Sequence, residues 1–131
     1  DLGPHLHQPA ELHGRATRAF GTEAALRLAA EFPDVDAAIS YNDLVALGMM
    51  SGFLRTGRKV GRDFRLVGFD DIEECAQVWP QLSSVRCDIS AFGRQTATAI
   101  LDWLERGVRP EAETRAPVHL VVRASSAGVD A

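Results

Sequence analysis

The chain has 131 residues, of which 46% are hydrophobic and 24% are charged, as is typical of one soluble globular domain with a buried core. The formal net charge of -4 argues against a basic DNA-binding face, and no apolar run approaches the about 18 residues that a membrane span requires. Two cysteines without metal-ligand spacing predict reduced thiols in a cytoplasmic protein that holds neither a metal nor a cofactor.

The first predicted elements are an irregular segment and a helix. Residues 1–13 lack periodicity, apart from a short strand predicted over Ala10–His13. Thr17 is placed to cap a helix that continues to about Phe32, where Pro33 ends it. Apolar residues recur on one side of this helix at helical spacing, which indicates a buried face.

Two short apolar runs, Ala37–Ser40 and Phe64–Phe69, predict buried strands that end in polar side chains. Asn42 follows the first strand and Asp70 follows the second. In open parallel sheets, ligands bind at the carboxyl ends of the strands. The two strand ends therefore predict a small-molecule pocket.

Each of these strand ends carries a second polar residue that could cap the following helix instead of binding a ligand. We expect Asp70 to face the ligand and Asp71 to cap a helix that begins near Ile72. After the first strand, we expect Asp43 to provide the cap and Asn42 to face the ligand.

The next helix, predicted from Asp43 to about Thr56, has apolar residues on nearly all sides. One side can face the parent sheet, and the other requires a partner surface. Gly48 and Gly52 lie four residues apart and permit close approach of another backbone. We expect self-association through this helix and the segment 76–80, with a symmetric interface that comprises Leu47, Met49, Met50, Phe53, Leu54, Val78 and Trp79.

The rest of the chain continues the alternation of helices and strands. Pro80 separates a short helix from an extended segment, and Gly107 ends a long helix. The remaining predicted elements are a helix over Ile72–Val78, a strand over Leu82–Arg86, a helix over Ile89–Arg106, a strand over Val118–Val122 and a loose tail after Ser125. This alternation favours an α/β fold with a layered, parallel-sheet lobe.

Four stretches of the sequence carry a family resemblance: Asn42–Gly48, Leu66–Ile72, Pro80–Arg86 and Leu120–Ser126. Over residues 14–126 the chain resembles the effector-binding domain of LacI/GalR-type transcriptional regulators, and the first three stretches come in that family's order without insertion or deletion. The resemblance implies a periplasmic-binding-protein-like type I fold. An effector bound between its two lobes changes their relative angle and thereby the DNA affinity of a headpiece.

The resemblance also implies a division of the chain between two lobes. The irregular segment 1–13 would precede the C-terminal lobe, residues 14–88, whose first strand and helix are expected outside this chain. Residues 89–117 would supply a helix and linker of the opposite lobe, before a returning strand at 118–126 and a tail at 127–131. DNA contact is expected only through an N-terminal headpiece outside the chain.

The long predicted helix is then expected to lack its packing partner. Its apolar face comprises Ile89, Phe92, Ile100 and Trp103. Burying such side chains is worth roughly 1.5–3 kcal/mol each, so leaving them in water is unfavourable. We expect this helix to pack on a neighbouring copy or to be poorly ordered, and the single remaining wall of the cleft to lose effector binding.

The resemblance assigns ligand-binding roles to five positions. Asn42 and Asp70 match residues that contact the effector in the family, and Phe69 precedes Asp70 in the same motif. Cys87 stands where the family usually has a glutamine, and Ala16 stands where it often has an aromatic residue that stacks on the ligand. Both departures imply an effector that differs from the better-known sugars and purines.

These features predict binding without catalysis, by a homodimeric regulator that senses a sugar or sugar-like molecule. The first alternative is a solute-binding protein of a sugar transporter, which would share the fold. The second is a metal-dependent hydrolase that uses Asp70 and Asp71, although neighbouring strand residues point to opposite faces. The sequence also has no phosphate-binding glycine loop and no nucleophile elbow.

Overall fold

The computed structural model describes residues 10–128, whose strands form one four-stranded sheet. β1 (Ala37–Ile39), β2 (Arg65–Phe69) and β3 (Ser83–Cys87) are parallel neighbours, and β4 (Val118–Val121) pairs antiparallel with β3. The predicted α/β class and mostly parallel sheet are confirmed, and the four strands match their predicted bounds closely.

Five helices occur among the described residues: α1 (Arg18–Glu31), α2 (Asp43–Thr56), α3 (Glu74–Gln77), α4 (Ile89–Arg106) and α5 (Ala124–Ala127). Thr17 caps α1 as predicted, because its hydroxyl accepts a hydrogen bond from the Phe20 N–H at 3.2 Å. Gly57 and Gly107 end α2 and α4 in the left-handed conformation.

The core forms where α2 packs against both the sheet and α1. A Cβ atom at Gly48 would lie 2.1 Å from the Arg18 carbonyl oxygen, so only glycine permits this approach of the two helices. The close packing predicted from Gly48 and Gly52 is therefore confirmed, with α1 as the partner. Within the core, the fully buried Phe53 and Phe64 rings pack together with their centroids 4.3 Å apart.

Three residues of the predicted interface, Leu47, Met49 and Phe53, belong to this core, and the interface prediction is wrong for Met49 and Phe53. Met49 and Phe53 are 4% and 0% exposed, so neither can contact a partner chain. The apolar residues around α2 are shared between the sheet, α1 and the surface. The sequence pattern could not show that α1 covers one of these sides.

Three predicted segments differ from the observed ones. The described part of the N-terminal segment, residues 10–13, has no strand, and residues 1–9 and 129–131 lie outside the described residues. α3 is shorter than the predicted helix at both ends: it begins at Glu74, after the turn at Asp70 and Asp71 with φ of 108° and 52°, and it ends before Val78, which is extended. α5 continues to Ala127, inside the tail that was expected to be loose after Ser125, and Ser125 itself is fully buried.

α4 has the predicted bounds, Ile89–Arg106, and none of its residues is buried. Its Ile89 and Trp103 side chains are 64% and 50% exposed. The helix is therefore not folded back on its own sheet, as expected, and packing on a neighbouring copy stays a prediction. Within residues 10–128, no helix combines the length and apolarity needed to cross a bilayer.

Candidate functional site

Three adjacent parallel strands end at one side of the sheet, which we call the carboxyl edge. Asn42 lies just beyond β1, Asp70 directly follows Phe69 at the end of β2, and Cys87 is the last residue of β3. Neighbouring strands lie about 4.8 Å apart, so these positions fall within roughly 10 Å across the sheet. Four of the five predicted ligand-binding residues thus share the edge at which open α/β sheets bind ligands.

Asn42, rather than Asp43, caps α2. The prediction that Asp43 provides this cap is therefore wrong. The Asn42 Oδ1 atom accepts a hydrogen bond from the Val45 N–H at 3.0 Å. This bond leaves the side-chain NH2 group of the half-buried Asn42 as the group that can meet a ligand. A role of Asn42 in effector binding stays a prediction.

Asp43 is fully buried and belongs to a hydrogen-bond network that sequence reasoning missed. Its Oδ1 atom accepts a bond from the Ser84 hydroxyl at 2.6 Å, and its Oδ2 atom accepts one from the Ile72 N–H at 2.9 Å. Burial raises the pKa of the nearby Cys75 thiol to about 12, and a hydrogen bond to Asp43 adds to the effect. The sequence signal was an acidic residue at the start of an otherwise apolar helix.

Asp70 is exposed at this edge. Its backbone N–H donates to the Val85 carbonyl at 3.0 Å, and within residues 10–128 its carboxylate makes no hydrogen bond. Partial burial, followed by the negative charge of Asp43, raises the pKa of Asp70 above its ordinary value. The group is available to accept hydrogen bonds from a ligand.

Asp71 does not cap a helix, contrary to the prediction, because its fully buried side chain forms ion pairs. The Arg123 Nη1 atom donates to Oδ1 at 2.7 Å, and the Arg86 guanidinium contacts Oδ2. Burial alone would raise the pKa of Asp71, but the bonds and charges of Arg123 and Arg86 outweigh it and lower the pKa. Sequence reasoning missed both arginines, although each lies in a motif of the family resemblance.

Ala16, the fifth predicted ligand-binding residue, is exposed next to Thr17, the N-cap of α1. Its methyl side chain provides no aromatic surface for stacking. The carboxyl edge carries other aromatic side chains. Tyr41, next to Asn42, is 81% exposed, and Phe69 is 39% exposed. Sequence analysis gave Tyr41 no role, and its position immediately after a predicted strand end was the available signal.

A second surface feature is a groove of about 740 Å³ between α1, α2 and the segment 78–80, which we call the α2 groove. Leu54 and Trp79 line it and are each 79% exposed. The further predicted interface residues that line it are Leu47, Met50 and Val78. Basic side chains border the groove: Arg18, Arg58, Lys59 and Arg62.

The fold agrees with a comparison against protein families. The family described as periplasmic binding protein-like domain matches residues 4–126. The chain belongs to this family. The four-stranded sheet described above, with three parallel strands and one antiparallel strand, lies within the matched residues.

Three known proteins are similar to this periplasmic binding protein-like domain. The HTH-type transcriptional regulator CelR of Thermobifida fusca is 32% identical over 110 residues, which cover 84% of this chain and 31% of that protein. A LacI family transcriptional regulator from Arthrobacter sp. FB24, in complex with lactose, is 28% identical with a TM-score of 0.75, covering 86% of this chain and 43% of that one. The dimeric Lac repressor with an 11-residue C-terminal deletion is 27% identical with a TM-score of 0.79, covering 89% and 43%.

This periplasmic binding protein-like domain spans 30–31% of the length of the first curated relatives that it matches. The predicted resemblance to LacI-type regulators is confirmed, and so is the predicted fold. The division of the chain between two lobes stays a prediction.

Proposed function

We propose that this chain is the effector-binding and dimerisation part of a DNA-binding transcriptional regulator that senses a small, neutral sugar. The proposal rests on a difference in burial and hydrogen bonding between neighbouring carboxylates at the carboxyl edge. Asp43 and Asp71 are buried and bonded within the chain, whereas Asp70 is exposed and makes no hydrogen bond within residues 10–128. The NH2 group of Asn42 lies at the end of the adjacent strand.

The chemistry of these groups suits a sugar. A carboxylate accepts two hydrogen bonds from neighbouring hydroxyl groups, and an amide NH2 donates to a hydroxyl or ring oxygen. Tyr41 and Phe69 add exposed aromatic surface, against which the apolar face of a sugar ring can pack. These two residues replace the stacking platform that Ala16 does not provide.

Binding without catalysis is favoured over hydrolysis. Asp71 is held by Arg123 at 2.7 Å and points into the protein, so it cannot act with Asp70 on one bond. Within the described residues, no three His, Cys, Asp or Glu side chains come together as a metal site. The similar proteins are transcriptional regulators, which supports a cytoplasmic regulator over a transporter's solute-binding protein.

The α2 groove supports a homodimer. Leu54, Trp79 and the half-buried Met50 form an apolar strip, and a two-fold axis through this strip would place the same strip on both partners. A dimeric relative has the same fold. Effector binding would change the angle between the lobes of each subunit and bias the DNA affinity of headpieces outside this chain.

The test is isothermal titration of lactose and a panel of other neutral mono- and disaccharides into the full-length protein and its Asp70→Ala variant. Losing a hydrogen bond to a charged group costs about 1.5–3 kcal/mol, so we expect Asp70→Ala to bind about 10- to 100-fold more weakly. Asp34→Ala, which removes an exposed carboxylate before the amino end of β1, is the matched control. Unchanged affinity in Asp70→Ala, or no sugar bound by the wild type, would overturn the proposal.

A further inference from the structure

The turn between β2 and α3 presents Asp70 in an unfavourable backbone conformation. Asp70 and Asp71 have φ of 108° and 52°, in the region that favours glycine, although neither is glycine. Such a conformation persists only where the surrounding structure holds it. The contacts that hold this turn therefore decide where the Asp70 carboxylate lies.

Two consecutive N–H groups of the turn are held by side chains from other elements. The Asp71 N–H donates to the Ser84 hydroxyl oxygen at 3.0 Å, and the Ile72 N–H donates to Asp43 Oδ2 at 2.9 Å. The Ser84 hydroxyl in turn donates to Asp43 Oδ1 at 2.6 Å. Because Asp43 and Ser84 are both fully buried, water does not compete for these bonds.

The chemistry of this network requires a carboxylate and a hydroxyl. Asp43 receives donors at both oxygens, which an asparagine could not do, because its amide has only one acceptor atom. Ser84 must accept one bond and donate another, which a hydroxyl does at once. Gly68 provides the space, since a Cβ atom there would lie 2.0 Å from Asp43 Oδ1.

We propose that Asp43 and Ser84 form a buried clamp that fixes the turn at residues 70–72 and so positions Asp70 for the effector. This inference rests on the proposed function. Asp43 and Ser84 act here as positioning residues, since the ligand contact is assigned to Asp70. Asp43 lies at the start of α2 and Ser84 lies on β3, so the clamp joins the turn to the elements on both sides of β2.

The test compares Ser84→Ala with Ser125→Ala in the full-length protein. Both hydroxyls are fully buried, and each accepts one backbone N–H and donates one bond. Ser125 accepts from the Ser83 N–H at 2.8 Å and donates to the Leu66 carbonyl at 2.6 Å, away from the turn. The two variants therefore remove the same chemistry at two places, and only one of them is at the clamp.

Two readouts are needed: hydrogen exchange of the Asp71 and Ile72 amides, and affinity for lactose. We expect Ser84→Ala to exchange these amides at least about 10-fold faster and to bind lactose about 10-fold more weakly. Ser125→Ala should leave lactose affinity within about 2-fold of wild type, and should speed exchange of these two amides no more than that of other core amides. Asp43→Asn is the second variant and should behave like Ser84→Ala.

Equal exchange of the Asp71 and Ile72 amides in Ser84→Ala and Ser125→Ala would overturn the clamp. Faster exchange in Ser84→Ala without weaker lactose binding would overturn its positioning role. Failure of the wild type to bind lactose would count against that sugar as the effector, and the exchange comparison would then decide the clamp alone. The two proposals therefore fail in distinguishable ways.

Discussion

The two arginines that bind Asp71 differ in exposure, and this difference predicts a difference in their contribution to stability. The Asp71 side chain is fully buried, the Arg123 side chain is 13% exposed and the Arg86 side chain is 51% exposed. Arg123 also donates to the Leu82 carbonyl at 2.7 Å, which ties β3 to the end of β4. We expect Arg123→Ala to destabilise the protein strongly and Arg86→Ala to destabilise it weakly.

The magnitudes follow from burial. Removing one partner of a buried ion pair costs about 3–5 kcal/mol, because the other charge is left unpaired in the interior. Arg86 would still contact Asp71 in Arg123→Ala, so the lower value, about 3 kcal/mol, is expected. For Arg86→Ala, solvent screening of the half-exposed guanidinium reduces the expected cost to about 1 kcal/mol or less.

Urea unfolding of the full-length protein, followed by circular dichroism from neutral to acidic pH, measures both costs. The pKa of Asp71 is lowered in the folded protein. The ion pairs of Asp71 therefore stabilise the protein fully above the ordinary carboxyl pKa of about 4. This stabilisation is lost as the pH falls through the lower pKa of the folded state. The difference between wild type and Arg123→Ala should therefore be full at pH 7 and shrink below about pH 4. The reasoning would be refuted if Arg123→Ala lowered the free energy of unfolding no more than Arg86→Ala does. It would also be refuted if the difference between wild type and Arg123→Ala did not change with pH.

Two further predictions concern the carboxyl edge and the α2 groove. Because the pKa of Asp70 is raised, the affinity for lactose should fall as the pH decreases toward that pKa. In titrations at several pH values, Asp70→Asn should abolish this pH dependence. If Asp70→Asn kept the pH dependence of the wild type, the role of Asp70 would be contradicted. Met50→Glu, in the α2 groove, should shift the dimer toward monomer in sedimentation. Ala30→Glu, on the exposed side of α1, should not. A wild type that sediments as a monomer at high concentration would contradict the proposed interface.

The elements that the sequence predicted well are those set by local signals. α4 ends at Gly107, and this end was placed because a glycine that ends a helix acts within one turn of the chain. β2 was placed from its apolar run between polar residues. The three parallel strands then had to bring Asn42 and Asp70 to the same edge, so the location of the candidate site could be inferred.

The roles of single polar residues could not be predicted, because they depend on partners far along the chain. Asn42 and Asp43 are both good capping residues, and their sequence does not show which one will be buried. Asp43 is buried because Gly68 leaves room and Ser84, 41 residues away, supplies a donor. Asp71 was mistaken for a cap in the same way, since Arg123 lies 52 residues later.

The charges at the carboxyl edge favour a neutral effector over an anionic one. Asp71 is paired with Arg123 and Arg86, whereas partial burial first and the negative charge of Asp43 second raise the pKa of Asp70. An anionic ligand on Asp70 would add a further negative charge to a site that already disfavours the ionised form of that carboxyl. A sugar hydroxyl instead donates a hydrogen bond to Asp70 and stabilises the carboxylate, so sugar binding should lower the pKa of Asp70 and take up no protons. An anionic sugar phosphate that bound more tightly than the corresponding neutral sugar would contradict this argument.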